Sequence, residues 1–244
     1  MSPAVSIDSL AGRTRAVVAA FALVGASALA SASAAFLQVR ALRGVSAHAI
    51  DLAAVERADL VARTAGVAVV ASSLAGLVAW ALWARRAFDL AGALGLRGLP
   101  MSAARAAWGF VLPLAQLWVP LQALAGLGRA LDRERIPAEA PRAASETSSH
   151  YRDNAQAPRP PDVALPPSPV GAAWAFWWGG WALSFVATFA HGRAASVADM
   201  RAVLQIDLTS QLGLALAALF FARVAVALHA RLRERAERWV PTAR

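Results

Sequence analysis

The chain has no cysteine and no lysine among its 244 residues. The first absence excludes disulfides, thiolate metal sites and cysteine nucleophiles, and it leaves the redox compartment unmarked. The second makes all 24 basic residues arginine. Beside so much alanine, that usage reflects a GC-rich bacterial coding sequence more than any property of a binding site. Charge is also missing over long stretches: no Asp, Glu or Arg occurs in residues 16–38, 64–84, 106–128 or 163–192, and 208–222 is a shorter fifth run bounded by Asp207 and Arg223. A helical span needs about 20 apolar residues, and a soluble chain spreads its charges more evenly. With 58% hydrophobic residues and a mean hydropathy of +0.49, the composition is that of a membrane protein. The net charge of +9 does not point to nucleic acid, because these arginines flank apolar runs, where they set orientation and meet anionic headgroups.

The uncharged run 106–128 is cut by Pro113 and Pro120. A proline inside a helix removes a backbone hydrogen bond and clashes with the preceding turn, and in lipid the released carbonyl needs another partner. Arginine counting separates the alternatives, since short cytoplasmic loops carry an excess. Five full crossings divide the arginines 16 to 8, whereas a segment that dips in and returns, or lies in the interface, divides them 18 to 6. The minority six are Arg40, Arg43, Arg57, Arg63, Arg193 and Arg201, partly offset by Asp51, Glu56, Asp59 and Asp199.

The expected fold is therefore all-α: a polytopic membrane protein with four transmembrane helices at 16–37, 64–84, 170–190 and 202–222, plus a Pro-broken re-entrant or interfacial segment. Residues 1–136 hold the first two spans and the broken segment, and 170–244 hold the last two spans and a basic tail. Between them, 137–169 contains 8 of the 13 prolines and no apolar periodicity, so it is expected to be a disordered cytoplasmic linker. The expected location is the bacterial cytoplasmic (plasma) membrane, multi-pass, with both termini cytoplasmic. Arg13 and Arg15 followed by an apolar core and the small residues 30–34 also outline a secretory signal. The apolar stretch continues through Phe36 and Leu37, however, and an uncleaved span is the preferred reading.

Three segments occur in order: Trp80-Ala-Leu-Trp-Ala-Arg-Arg86, then Trp108-Gly-Phe-Val-Leu-Pro113 with Gln116-Leu-Trp-Val-Pro120, then a Trp-rich stretch from Trp174 to Trp181 after the Pro-rich linker. In these the chain resembles the bacterial integral membrane family catalogued as domain of unknown function 4328. The resemblance is specific over 80–129 and looser over 169–238, and the first span matches only as a hydrophobic helix. It departs from the family pattern at Gln116, where Asn is usual, and near Ala87 and Phe88, where an Asn is expected after the arginines. The resemblance implies an architecture and no activity.

Within the broken segment, the Gln116 amide is placed to cap carbonyls released by the prolines. Two readings follow: a small polar pocket with Trp118, as in the broken helices of transporters, or, preferred, a rigid interfacial wedge with Trp108 and Trp118 at headgroup depth. Trp174, Trp177, Trp178 and Trp181 fall on one helix face, continued by Phe185. Such a ridge holds a cationic headgroup or, preferred, packs against neighbouring helices, with Gly179 and Gly180 allowing close approach. Ala22, Ala26, Ala30 and Ala34, and Ala68, Ser72 and Gly76, read as packing seams. Asp207 and Arg223 are 16 residues apart, about 24 Å along a helix, which suits one residue near each interface, with Asp207 in the first turns of its helix.

His48, His150, His191 and His229 form no ligand motif, and no catalytic, metal or cofactor-binding residue is expected. The sequence thus points away from an enzyme. It points to a structural or regulatory scaffold that binds the lipid bilayer, and another membrane protein or itself, through Pro113, Gln116, Trp118, Pro120, Trp174, Trp177, Trp178 and Trp181. The alternative is a small-solute transporter or channel-like protein with a pocket near Gln116.

Overall fold

A computed structural model describes residues 3–43, 52–112, 115–133 and 169–238. Among these, every regular element is helical: α1 (Pro3–Arg43), α2 (Leu52–Ala93), α3 (Ala103–Trp108), a 3-10 turn (Ala115–Leu117), α4 (Val119–Arg133), α5 (Pro169–His191) and α6 (Val197–Arg238). Pro113, His48, Asp51, His150, Tyr151 and the linker up to residue 168 lie outside the described residues.

Among the described residues, three helices contain segments long and apolar enough to cross a membrane: Ile7–Leu42, Glu56–Ala93 and Val197–Arg238. The expectation was four. The remaining long helix, α5, has no charged residue in its 23 positions, but its tryptophans and glycines dilute its hydropathy. The helices also overrun the expected boundaries. α1, α2 and α6 have 41, 42 and 42 residues, roughly 60 Å each against an apolar layer of about 30 Å. Apolar periodicity stops at the charges, whereas the helix does not, because the flanking Ala, Leu, Arg and Glu are strong helix formers. At the end of α6, Arg233 pairs with Glu237 at 2.8 Å and Arg238 with Glu234, exposed pairs that add a few tenths of a kcal/mol each, roughly, to an already formed helix.

α1 is the central strut, packed on α2 and α6, and α6 carries α5 on its other side. Both α1 pairings are antiparallel. Gln38 Nε2 donates to Asp59 Oδ1 at 2.7 Å at one end of the α1–α2 pair, and Trp83 Nε1 donates to Thr14 Oγ1 at 2.9 Å at the other. Phe21 and Phe221 meet with centroids 5.2 Å apart, and Arg201 Nε donates to Leu42 O at 3.0 Å. α5 approaches α6 closely at Gly180: a Cβ there would stand 2.8 Å from Leu214 Cγ and 3.1 Å from Ser210 O. Ser210 Oγ donates to Gly180 O at 2.8 Å across this contact. Of the two neighbouring glycines only Gly180 makes the close approach, since a Cβ on Gly179 would meet nothing within 4 Å.

The small-residue seams need correcting. Ala22, Ala26 and Ala30 are exposed and only Ala34 is buried; the packed face of α1 runs through Val17, Phe21, Val24, Ala28, Ala32, Ala35 and Val39. In a chain this rich in alanine, four-residue spacing alone does not identify an interface. In the second seam Ala68 is exposed, Ser72 Oγ lies 3.1 Å from Ser27 Oγ, and Gly76 makes room for Phe21 and Val24.

The core continues past Arg85 and Arg86. Phe88, Leu90, Leu94 and Leu96 are buried together with Leu10 of α1, Leu124 and Leu127 of α4, and Leu232 of α6, so one end of the bundle is a packed cap. Gly95, with φ +74, ends α2 in the left-handed conformation that a residue with a Cβ rarely adopts. Around the middle, Leu23, Leu29, Val67, Leu74, Val78, Phe185, Phe189 and Leu219 are all exposed. An apolar belt of this extent is foreign to a water-facing surface.

Candidate functional site

α3 begins at Ser102, whose Oγ accepts from Arg105 N at 3.3 Å as an N-cap. It leads to Phe110, whose ring lies 6.0 Å from that of Trp80. Trp80 precedes Arg85 by five residues, so the turn reaches about 7.5 Å further into the bundle than that arginine. α4 then returns outward. Leu131 is buried in the cap, and Asp132 Oδ1 lies 3.0 Å from Arg231 Nη1 near the end of α6. The segment between α2 and the linker is thus a helical hairpin that enters and leaves at one end of the bundle.

Its two arms touch where side chains are absent or rigid. A Cβ on Gly109 would fall 2.2 Å from Val119 Cγ1, and one on Gly126 would fall 2.3 Å from Pro100 Cγ. Pro120 is buried at the second position of α4, in the first turn, where no intrahelical N–H bond is lost. The proline therefore starts a new helix and does not break an existing one. Gln116 is half-buried, its Nε2 donating to Phe110 O at 2.5 Å and its backbone N to Leu112 O at 2.8 Å. That amide closes the turn on Phe110 O, while Pro120, in the first turn of α4, releases no carbonyl for it to cap. Trp108 and Trp118 point outward, each 61% exposed, alongside Val111, Leu112 and Leu117. The hairpin tip is an apolar, tryptophan-bearing corner.

The tryptophan face of α5 meets this tip directly. Trp174 Nε1 donates to Leu117 O at 3.0 Å, joining the two sets of residues singled out in the sequence. Trp174 and Trp177 are buried, each with its ring 5.9 Å from Phe221, and Trp177 also lies 6.2 Å from Phe21. Trp178 and Trp181 are half-buried, edge-on to Trp174 and Trp177 at 6.1 and 6.2 Å. The stripe ends there, because Phe185 is 66% exposed. Phe21, Trp80, Phe110, Trp174, Trp177 and Phe221 surround a void of about 10 Å³, no more than the minimum for one water. A headgroup does not fit among these rings.

Sequence reasoning missed the hub of this cluster. Trp80 and Trp83 were visible as a family signature, but nothing in their spacing says that Trp80 receives Phe21, Phe110 and Phe221 from three other parts of the chain. Asp207 also sits differently from expectation. α6 starts at Val197, so the residue in its first turn is Asp199, whose Oδ2 accepts from Ser196 N at 3.0 Å while Ser196 Oγ accepts from Asp199 N at 3.1 Å. This reciprocal capping box lies outside the apolar run, where span-hunting does not look. Asp207 is half-buried and accepts from Gln211 Nε2 at 3.2 Å, and Arg223 is exposed.

The bundle and its apolar belt define a helical membrane protein. Within that class the chain belongs to the family described as Domain of unknown function (DUF4328), which matches residues 46–230. The match takes in α2 through most of α6 and leaves α1 outside. No curated protein and no solved structure matches the chain.

Proposed function

We propose that the protein is a non-catalytic scaffold of the bacterial cytoplasmic membrane that engages lipid and another membrane protein through the hairpin tip. The observation that carries this reading is the pair of exposed tryptophans, Trp108 and Trp118, on a turn held from within by Gln116 and Trp174. A tryptophan at the membrane interface keeps its ring among acyl chains and its N–H in the headgroup layer. Holding two of them rigidly lowers the entropy lost when a partner docks. The Gln116 amide is engaged in closing the turn, which favours a wedge over a solute pocket.

The topology that goes with this reading has four crossings. α5, uncharged over 23 residues, is about 34 Å long and antiparallel to α6, and the hairpin adds no crossing because it returns to the end it left. Reporter fusions after Ser148 and after Arg244 are expected to report cytoplasm, and one after Asp51 the opposite side. An extracytoplasmic signal at Ser148 combined with a cytoplasmic one at Arg97 would overturn this topology.

The scaffold itself is tested by Trp108→Ser with Trp118→Ser. Both side chains are exposed, so insertion and stability in detergent should stay within about 0.5 kcal/mol of the parent. The proteins that co-purify from cross-linked native membranes should be lost. An unchanged set of partners, or a solute-dependent stabilisation abolished by Gln116→Leu, would favour the transporter reading instead.

A further inference from the structure

The end of the bundle opposite the hairpin contains a cleft of about 600 Å³ between α1, α2 and α6, with His191 at the end of α5 also on its lining, within the range of small-molecule sites. Its walls are mainly apolar, with the polar Ser33, Gln38 and His191 among them. Ala30 and Leu37 of α1, Val61 of α2 and Leu204 of α6 line it, and Leu37 and Val61 remain 56% and 50% exposed. Along α1 it runs from Ala41 down to Ala30, about 16 Å of helix, leading from the charged rim into the uncharged run 16–38. Two opposite charges stand at its mouth, Arg57 and Asp59, both on α2 and both lining the cleft. Neither is loosely placed: Asp59 Oδ1 accepts from Gln38 Nε2 at 2.7 Å, and Arg57 Nε donates to Ala53 O at 3.0 Å.

We propose that this cleft binds one zwitterionic phospholipid, with an acyl chain along the Ala30–Leu37 wall, the phosphate on the Arg57 guanidinium and the headgroup ammonium on the Asp59 carboxylate. The charge pattern selects this occupant. A purely anionic headgroup would meet Arg57 but also the Asp59 carboxylate, and a bare apolar helix would match neither of these two exposed charges at the mouth. The apolar walls require a chain, the cation requires a phosphate, and the anion, two residues away, requires an ammonium. The inference is independent of the hairpin reading, since it concerns the other end of the bundle.

Native mass spectrometry of the detergent-purified full chain, titrated with phosphatidylethanolamine or phosphatidylglycerol, tests it. The first phosphatidylethanolamine is expected to bind about tenfold more tightly than the first phosphatidylglycerol. Asp59→Asn keeps the acceptor for Gln38 and should erase that preference, whereas Arg57→Gln should weaken both lipids. Ala30→Phe, at an exposed position that faces the cleft, should remove the first binding event while leaving thermal unfolding in lipid-free detergent unchanged. Equal binding of the two lipids by the parent chain, or a preference insensitive to Asp59→Asn, would overturn the proposal. So would a parent dimer that Ala30→Phe disrupts, because the occupant would then be a second copy of the chain.

Discussion

Trp80→Ala is expected to lower the unfolding free energy by about 3 to 5 kcal/mol, the range for deleting a fully buried large aromatic side chain. Trp80 is 1% exposed, and its ring lies 5.7 Å from Phe21, 5.4 Å from Phe221 and 6.0 Å from Phe110, all edge-on, with Trp83 tilted beside it at 5.1 Å. The void left behind would border α1, α6 and the hairpin turn at once, and none of these is free to collapse into it. Beyond the stability loss measured by thermal and denaturant unfolding in detergent, amide exchange should rise over 109–112, where the turn loses the ring that seats Phe110. Trp80→Phe should recover a large part of the loss. A change below about 1 kcal/mol for the alanine variant would mean that the six-ring cluster is not the centre of the fold.

Gly180→Leu should be nearly as damaging, at about 3 kcal/mol, because it combines overpacking with the loss of a buried hydrogen bond. Its Cβ would meet Leu214 Cγ at 2.8 Å and Ser210 O at 3.1 Å. Separating the helices enough to admit it would pull Ser210 Oγ from Gly180 O. Gly179→Leu is the control, since a Cβ there meets nothing within 4 Å, and it should be almost neutral. The absence of native cysteine permits a direct reading of helix separation. Phe176 and Phe220 are stacked at 5.9 Å, so Phe176→Cys with Phe220→Cys should cross-link through a short bifunctional thiol reagent readily in the parent and in Gly179→Leu, and slowly in Gly180→Leu. Equal cross-linking in the two glycine variants would show that α5 and α6 do not close on Gly180.

The contrast between these two glycines illustrates what is readable from residue order. Trp174, Trp177, Trp178 and Trp181 fall on one face because a helix repeats every 3.6 residues, and that periodicity correctly placed Trp174 and Trp177 in the packed interior. The same reasoning extended the stripe to Phe185, which instead faces outward. Periodicity assigns a direction around one helix axis and does not say where the neighbouring helix ends its contact. The alanine seam of α1 failed for a related reason: Ala22, Ala26 and Ala30 share a spacing, but the side of α1 that α2 and α6 occupy is decided by the bulk of Phe21 and Val24.

Helical class, the apolar runs and the start of a new helix at Pro120 were determined by the sequence itself, which also placed the Gln116 amide within reach of nearby carbonyls. They follow from local chemistry: transfer of apolar side chains, the missing proline N–H, and the reach of an amide to a carbonyl a few residues away. The family also was legible in the order of its tryptophans, arginines and prolines, and residues 46–230 match it. Tertiary structure alone decided that Trp80 joins Phe21, Phe110 and Phe221, that Trp174 holds the hairpin at Leu117 O, and that Arg57 and Asp59 stand over an apolar cleft. Each of these depends on the axial register between antiparallel helices far apart in sequence. That register is set by the summed packing of whole helix faces, and no local spacing encodes it.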